Sequence, residues 1–171
     1  MAEGRMNPLS IVTVVALLLF AGFLAGSESA INSISRIFIE ELEEKSSRRA
    51  ALVAKVLSEP ARYLNVILFV RKASELTATV IVAEELRARF DSTLVALSCA
   101  IAIMLILSYV VVGVGPRTLG KQKAGRWIVP ASIVASILST VLGPITSLLI
   151  AIGNAITPGK GFKTGPFANE A

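Results

Sequence analysis

Three charged side chains interrupt the second long apolar segment of the chain, at Arg71, Lys72 and Glu75. A charge at the centre of a membrane helix costs about 2.5 to 3.5 kcal/mol, so these side chains must face protein or water rather than lipid. At about 100° per residue they share one arc of about 120° with Asn65 and Thr79. Ionisable residues inside a membrane segment indicate a functional site. The pattern predicts a helix that lines a hydrophilic cavity, and a structural ion pair that fixes helix register is the alternative.

A second polar cluster lies at the end of the first apolar segment. It contains Ser27, Glu28, Ser29 and Asn32, and Glu28 and Asn32 share a helix face because they are four residues apart. Carboxylate, amide and hydroxyl oxygens suit hard cations such as Mg²⁺ or Na⁺. The sequence therefore predicts a metal site here, unless these residues simply mark a helix end that emerges into the cytosol.

Two glycine patterns resemble known motifs, and only one of them fits its surroundings in the sequence. Gly22 and Gly26 have the GxxxG spacing, which permits close helix approach and dimerisation. The segment from Gly115 to Lys121 matches GxxxxGK, but Gln122 occupies the position of the magnesium-binding Ser or Thr of a phosphate loop, and a spanning helix precedes it. We therefore reject a nucleotide site at this segment.

The composition indicates a membrane protein. The 171-residue chain is 54% hydrophobic and only 17% charged, with a mean hydropathy of +0.72, whereas soluble domains are about 25% charged. It has no histidine and one cysteine, Cys99, which argues against disulfides, zinc sites and His-based catalysis. We expect no enzyme activity. We assign the net charge of +5 to basic loops at a membrane surface, and expect no nucleic-acid partner.

Three apolar segments reach the roughly 20 residues that a spanning helix needs, at about residues 8–30, 63–83 and 93–115. The first could instead be a secretory signal peptide, but its apolar stretch exceeds the usual length of about 7 to 15 residues. The third ends at Pro116. The sequence thus predicts an all-α membrane protein with three transmembrane helices.

A fourth segment, residues 128–152, is uncharged and amphipathic. We favour a juxtamembrane helix that lies in the interface or packs its polar stripe on the bundle, although its length also permits spanning. Gly143 and Pro144 are expected to break or kink it. One stripe of this helix consists of small, mostly hydroxyl-bearing residues, at Ser132, Ser136, Ser139, Thr140, Gly143 and Ser147.

Basic residues set the predicted orientation. Six of them lie between Arg36 and Arg62, and four more between Arg117 and Arg126, whereas the link after residue 83 has only two. We therefore predict an outside N-terminus and a cytoplasmic C-terminus. Residues 36–57 alternate between charged and apolar stripes, which predicts a cytoplasmic helical hairpin that turns near Ser46 and Ser47.

Several motifs resemble those of the CorC/cyclin M (CNNM) membrane domain, the actinobacterial branch in particular. Gly26-Ser-Glu-Ser-Ala30 resembles the SGSETA motif of that family. Pro60-Ala-Arg-Tyr-Leu64 and Gly115-Pro-Arg-Thr-Leu119 resemble its P-x-R-x-L before the second helix and its G-E-x-x-P-K-T-L after the third. The tail also resembles that branch, in the stretch from Gly153 to Phe162 followed by Gly165-Pro-Phe167.

The resemblance implies a homodimer of three-helix protomers, each with a belt helix, in a bacterial cell membrane. It implies residues 1–156 as the membrane domain and residues 157–171 as a linker toward cytoplasmic CBS domains that bind a regulatory nucleotide such as ATP. It further implies Mg²⁺ export, coupled to Na⁺, through a cavity that opens to the cytoplasm. The alternative is a membrane anchor that transports nothing and dimerises the CBS domains.

Departures from the family pattern limit what is carried over. Ala25 replaces the first Ser of the motif, and Gly113 replaces an acidic residue. Arg71 and Glu75 stand where the second helix of the family usually has Asn residues. Only Ser27, Glu28 and Ser29 match the motif, whereas Asn32, Asn65 and Glu75 are assigned to the site on physical grounds.

Overall fold

The computed structural model describes residues 7–34, 36–45 and 47–156, and these form helices without a strand. This confirms the all-α prediction; the predicted linker, residues 157–171, lies outside the described residues. The elements in chain order are α1 (Pro8–Ile31), α2 (Arg36–Lys45), α3 (Ser47–Ser58), α4 (Pro60–Arg87), α5 (Thr93–Leu107), a π-helical segment (Ser108–Val114), α6 (Gly115–Gln122) and α7 (Ala124–Ile156).

Helices α1 and α4 form an antiparallel pair along their length. The Asn7 backbone N–H donates to Glu85 Oε2 at 3.5 Å, and at the other end of the pair Ile31 packs with Tyr63 and Leu64. With 24 residues, α1 is about 36 Å long at 1.5 Å per residue, and exceeds the hydrocarbon thickness of about 30 Å. Consequently α4 crosses the membrane wherever α1 does.

Three helical stretches are long and apolar enough to cross a membrane in the described part of the chain: Pro8–Ile31, Thr93–Gln122 and Ala124–Ile152. Helix α4 fails this composition criterion because its charges, Arg71 among them, interrupt it, although the Arg71 and Glu75 side chains are only 7% and 17% exposed. Conversely α7, for which we favoured an interfacial position, meets the criterion. Length and composition therefore favour α7 over α4 as a membrane span, whereas the packing of α4 along α1 favours α4.

The third predicted span does not end at Pro116. The helix changes geometry at Ser108 and continues to Gln122. The Gly115 N–H donates to the carbonyl of Val110, five residues back, as in a π-helix. Pro116 then lies in the first turn of α6, directly after the change of helix geometry.

Two apolar clusters fill opposite ends of the bundle. Residues of α1, α4, α5 and the π-helical segment form one of them, which includes Leu18, Val82 and Met104. The other unites α1, α3, α4 and α7, with α2 packed against it, and includes Ile67 and Ile128. Helices α2 and α3 pack on each other as the predicted hairpin does, and we call this second end the hairpin end.

Helix α7 belongs to the hairpin end. Its first turn stacks Trp127 on Phe23 of α1, with ring centroids 5.4 Å apart. The small-residue stripe faces the protein only in part, since Ser132 and Ser139 are buried but Thr140 and Ser147 are exposed. The apolar stripe is exposed at Ile137 and Val141.

The predicted break at Gly143 and Pro144 is wrong, because α7 is one helix from Ala124 to Ile156. The Thr146 hydroxyl donates to the Gly143 carbonyl at 3.0 Å. A Thr hydroxyl within a helix commonly makes such a bond to the preceding turn.

Candidate ion site between α1 and α4

Arg71 occupies the centre of the candidate site. Helix α4 directs this residue toward α1, where its side chain is only 7% exposed. Its Nη1 donates to Glu28 Oε2 at 2.5 Å, and its Nε lies 3.7 Å from Glu75 Oε1. The guanidinium group therefore lies between two carboxylates from different helices.

Glu28 is shared by two arginines. Besides Arg71, Arg117 at the start of α6 places Nη2 3.6 Å from the same Oε2 atom. The Glu28 side chain is 16% exposed, so screening by water is limited. Its negative charge is thus balanced by protein cations.

Glu75 has its own partners on the other side of Arg71. The Ser108 hydroxyl donates to Glu75 Oε2 at 2.5 Å, and Lys72 Nζ lies 3.9 Å from the same oxygen. The Lys72 side chain is 60% exposed, so this ion pair is weak. The Ser108 bond places the π-helical segment against the charged face of α4.

A cavity of about 510 Å³ adjoins this network. Three cations and two carboxylates make up the network, with a net charge of +1, and Glu75 is the acidic residue in the cavity wall. In the described part of the chain, no three His, Cys, Asp or Glu residues are grouped to hold a metal. The structure thus holds a cation at this site, but the cation is an arginine side chain. The cavity is lined by Arg71, Lys72, Glu75, Leu105, Ser108, Tyr109, Val112, Gly113, Val114 and Arg117.

The other residues predicted as metal ligands have structural roles in or between the helices. Ser27 is buried and donates to the Phe23 carbonyl at 2.8 Å, and Ser29 donates to the Arg117 carbonyl at 2.9 Å. Asn32 is exposed and forms the C-cap of α1. Of the predicted metal set, the structure places only Glu28 in the ion-pair network.

The five residues predicted to share an α4 face do not share one cavity. Asn65 lies in the wall of a second cavity of about 500 Å³, between α4 and α7. Thr79 donates to the backbone carbonyl of Glu75 at 2.8 Å. The five residues point in similar directions around the axis of α4, but they lie at different heights along this 28-residue helix. Only Arg71, Lys72 and Glu75 are therefore close enough to interact.

Gly22 and Gly26 pack against helices of the same chain. A Cβ at Gly22 would lie 2.8 Å from the Val111 carbonyl oxygen, and one at Gly26 would lie 2.3 Å from the Trp127 ring. The GxxxG spacing thus permits the π-helical segment, α6 and α7 to approach α1.

Two members of the network were not predicted as site residues. Arg117 was counted as a loop charge and as part of the motif from Gly115 to Leu119, and Ser108 lies in a clean apolar run. Their partners come from helices 89 and 33 residues away along the chain. One feature of the sequence could have indicated the contact with Glu75. Ser108 is a hydroxyl residue near the end of an apolar run, and the helix before this run contains Glu75.

The fold and the site define a multi-pass helical membrane domain with a buried network of ion pairs. Residues 11–171 match the model of the cyclin M transmembrane N-terminal domain, and the chain belongs to this CNNM family. The family is linked to divalent-cation transport, and its membrane domain is not an enzymatic fold. A UPF0053 protein of Mycobacterium tuberculosis and one of Mycobacterium bovis are each 38% identical over 156 residues, which is 91% of this chain. The chain spans 36% of the length of these curated relatives.

Proposed function

We propose that this chain is the membrane domain of a divalent-cation transporter whose cargo is Mg²⁺ and whose coupling ion is Na⁺. Membership of the CNNM family supports the class of function. The observation that carries the proposal is the pair of carboxylates, Glu28 and Glu75, that flank Arg71 inside the helix bundle. Two nearly buried carboxylates beside a cavity provide the negative field and the oxygen ligands that Mg²⁺ requires.

The proposed site comprises Glu28 with the neighbouring oxygens of Ser27, Ser29 and Asn32, and Glu75 on the opposing helix. Mg²⁺ retains several waters and usually binds through one or two carboxylates. The hydroxyls that now donate to carbonyls retain lone pairs that can accept from the waters of a bound ion. Glu28 and Glu75 would therefore supply the charge, and the neighbouring polar groups would orient the hydrated ion.

The orientation follows from the two basic segments. Residues 36–62 and 117–126 lie at the hairpin end, since Ser29 and Gly26 at the end of α1 contact α6. The positive-inside rule then assigns the hairpin end to the cytoplasm of a bacterial cell and the N-terminus to the outside.

The resemblance to the CNNM membrane domain also implies partners. We expect a second copy of the chain, membrane lipid, and cytoplasmic CBS domains that bind a nucleotide such as ATP. Exposed apolar side chains on α5, among them Leu94, Ile101 and Leu105, provide surface for lipid or for the second copy.

Flux measurements test the transport proposal. The chain is reconstituted in proteoliposomes with an internal Mg²⁺ indicator, and Glu28→Gln is compared with Glu84→Gln, an exposed carboxylate on α4. Glu28→Gln should abolish Mg²⁺ flux, and Glu84→Gln should retain it. Equal flux in Glu28→Gln and the unchanged chain would contradict the assignment.

A second function is favoured by one specific observation. Both carboxylates of the site already have protein cations within 4 Å, as expected of an ion pair that only fixes helix register. The chain would then be a non-transporting anchor that dimerises its cytoplasmic domains. Isothermal titration with Mg²⁺ separates the two, since the anchor gives neither flux nor a binding heat that depends on Glu28.

A further inference from the structure

The Arg71 guanidinium is only partly satisfied by its surroundings. It bonds Glu28 at 2.5 Å through Nη1, yet its buried Nε makes no hydrogen bond and lies 3.7 Å from Glu75. A guanidinium that served only to pair with a carboxylate would normally use two parallel N–H bonds to one partner. Here the group bridges two carboxylates on different helices and lines the cavity.

From this geometry we infer that Arg71 is a tethered cation that occupies the position of a divalent cation between Glu28 and Glu75. In this state the site is closed to Mg²⁺, and it opens when Arg71 withdraws from Glu28. The inference rests on the proposed function only for the identity of the ion that replaces the guanidinium.

The charges of the network support this assignment. With Arg71 in place, a nearly buried positive charge already lies between the two carboxylates, so an incoming Mg²⁺ meets repulsion at the centre of the site. Without Arg71 the remaining four charges sum to zero. The carboxylates then keep only cations at 3.6 and 3.9 Å in place of the contact at 2.5 Å.

Neither of the other two cations fits the role of tethered cation. The side chains of Lys72 and Arg117 are 60% and 48% exposed, and each approaches a single carboxylate of the network. Solvent-exposed ion pairs contribute little because water screens them. Arg71 is the member of the network that is both buried and placed between the two carboxylates.

Removal of Arg71 should therefore favour the binding of another cation between the two carboxylates. Two nearly buried carboxylates without a close counter-ion are unfavourable, and a bound divalent cation relieves that cost. Arg71→Gln should bind Mg²⁺ at least tenfold more tightly than the unchanged chain in isothermal titration. Adding Glu28→Gln to this variant should cancel the gain, because the site then loses one of its two carboxylates.

Two control variants separate this role from a general charge effect. Lys72→Gln removes the same charge from the same cavity wall, and Arg62→Gln removes an exposed arginine elsewhere on α4. We expect less than a threefold change in Mg²⁺ affinity for Arg62→Gln. For Lys72→Gln we expect a smaller gain than for Arg71→Gln, because water screens the charge of its exposed side chain. An affinity of Arg71→Gln within twofold of the unchanged chain would overturn the inference.

A second measurement covers the case in which Arg71→Gln folds poorly. Arg71→Ala leaves space for a free guanidinium ion, so low millimolar guanidinium chloride should raise its melting temperature and compete with Mg²⁺ for the site. At the same concentrations, both ions should stabilise the unchanged chain and Arg71→Lys less than they stabilise Arg71→Ala. A melting temperature of Arg71→Ala that responds to neither ion would also overturn the inference.

The two proposals fail separately. Unchanged flux in Glu28→Gln contradicts the transport site but leaves the tethered cation standing if Arg71→Gln gains affinity. Normal transport without any gain of affinity in Arg71→Gln contradicts only the tethered cation.

Discussion

Gly120 of α6 packs directly on the backbone of Gly26 in α1, where a Cβ at Gly120 would lie 2.1 Å from the Gly26 carbonyl oxygen. This contact brings α6 against the turn that contains Glu28 and Ser29. As a result Arg117 reaches Glu28, and its carbonyl accepts the Ser29 hydroxyl bond. The geometry of the charged site thus depends on a contact between two glycines outside it.

Gly120→Ala should destabilise the fold severely. The new methyl group would meet backbone rather than a movable side chain, so the two helices would have to separate, at a cost of about 2 kcal/mol or more. Gly143→Ala is the matched control, because the nearest atom to its Cβ is 3.8 Å away and alanine is the better helix former by about 1 kcal/mol. Thermal unfolding in detergent should separate the two variants, and equal melting temperatures would contradict the contact.

Ser108→Ala tests the contact between the π-helical segment and α4. Its hydroxyl donates to the Glu75 carboxylate, and hydrogen bonds to charged groups contribute about 1.5 to 3 kcal/mol. The variant should unfold at a lower temperature than the unchanged chain. Ser98→Ala on α5, where the side chain is exposed, should have little effect; a similar loss in both would show that the Glu75 bond is not the cause.

A double-mutant cycle should show strong coupling between Glu28 and Arg71. Removal of one member of a buried pair leaves the other charge unpaired, which costs about 3 to 5 kcal/mol, whereas removal of both relieves much of that cost. We expect a coupling energy above about 1 kcal/mol from unfolding of Glu28→Gln, Arg71→Met and their combination. Glu84 and Arg87 form an exposed pair that should couple by less than about 1 kcal/mol, and equal coupling in the two cycles would contradict a buried pair.

Much of the fold follows from local features of the sequence. Apolar run length placed the starts of α1 and α4 at about residues 8 and 63, within a few residues of the observed Pro8 and Pro60. Small hydroxyl residues on one stripe of α7 predicted part of its buried face, at Ser132 and Ser139. These features depend on periodicity and on residues near in sequence, which is why they could be predicted.

The parts that sequence did not reveal depend on contacts between distant segments. The Arg71–Glu75 pair was weighed as an alternative, because the two residues are four apart on one helix. The pairing of Glu28 with Arg71 was not predicted, because these residues are 43 positions apart. The π-helical segment leaves no periodicity signal within an apolar run. Pro144 was expected to break or kink α7, but the helix continues across it, because propensity is a weak guide where tertiary contacts override it.

The packing of α7 predicts its depth in the membrane. Its first half packs into the apolar cluster at the hairpin end, and no residue of α7 belongs to the cluster at the opposite end. A helix that crossed the membrane beside α4 would contribute to both clusters. We therefore expect α7 to lie near one membrane surface, with its apolar stripe toward lipid.

Depth-dependent quenching measures this directly after Cys99→Ala removes the native thiol. Labels on cysteines at Ile133, Val141 and Leu148, all exposed, should report nearly equal depths. A spanning α7 would separate the outer two by about 22 Å, given 1.5 Å per residue, and would contradict the interfacial position. Leu94 and Leu105 on α5 are the matched control, since a spanning helix should place labels at these positions about 16 Å apart in depth.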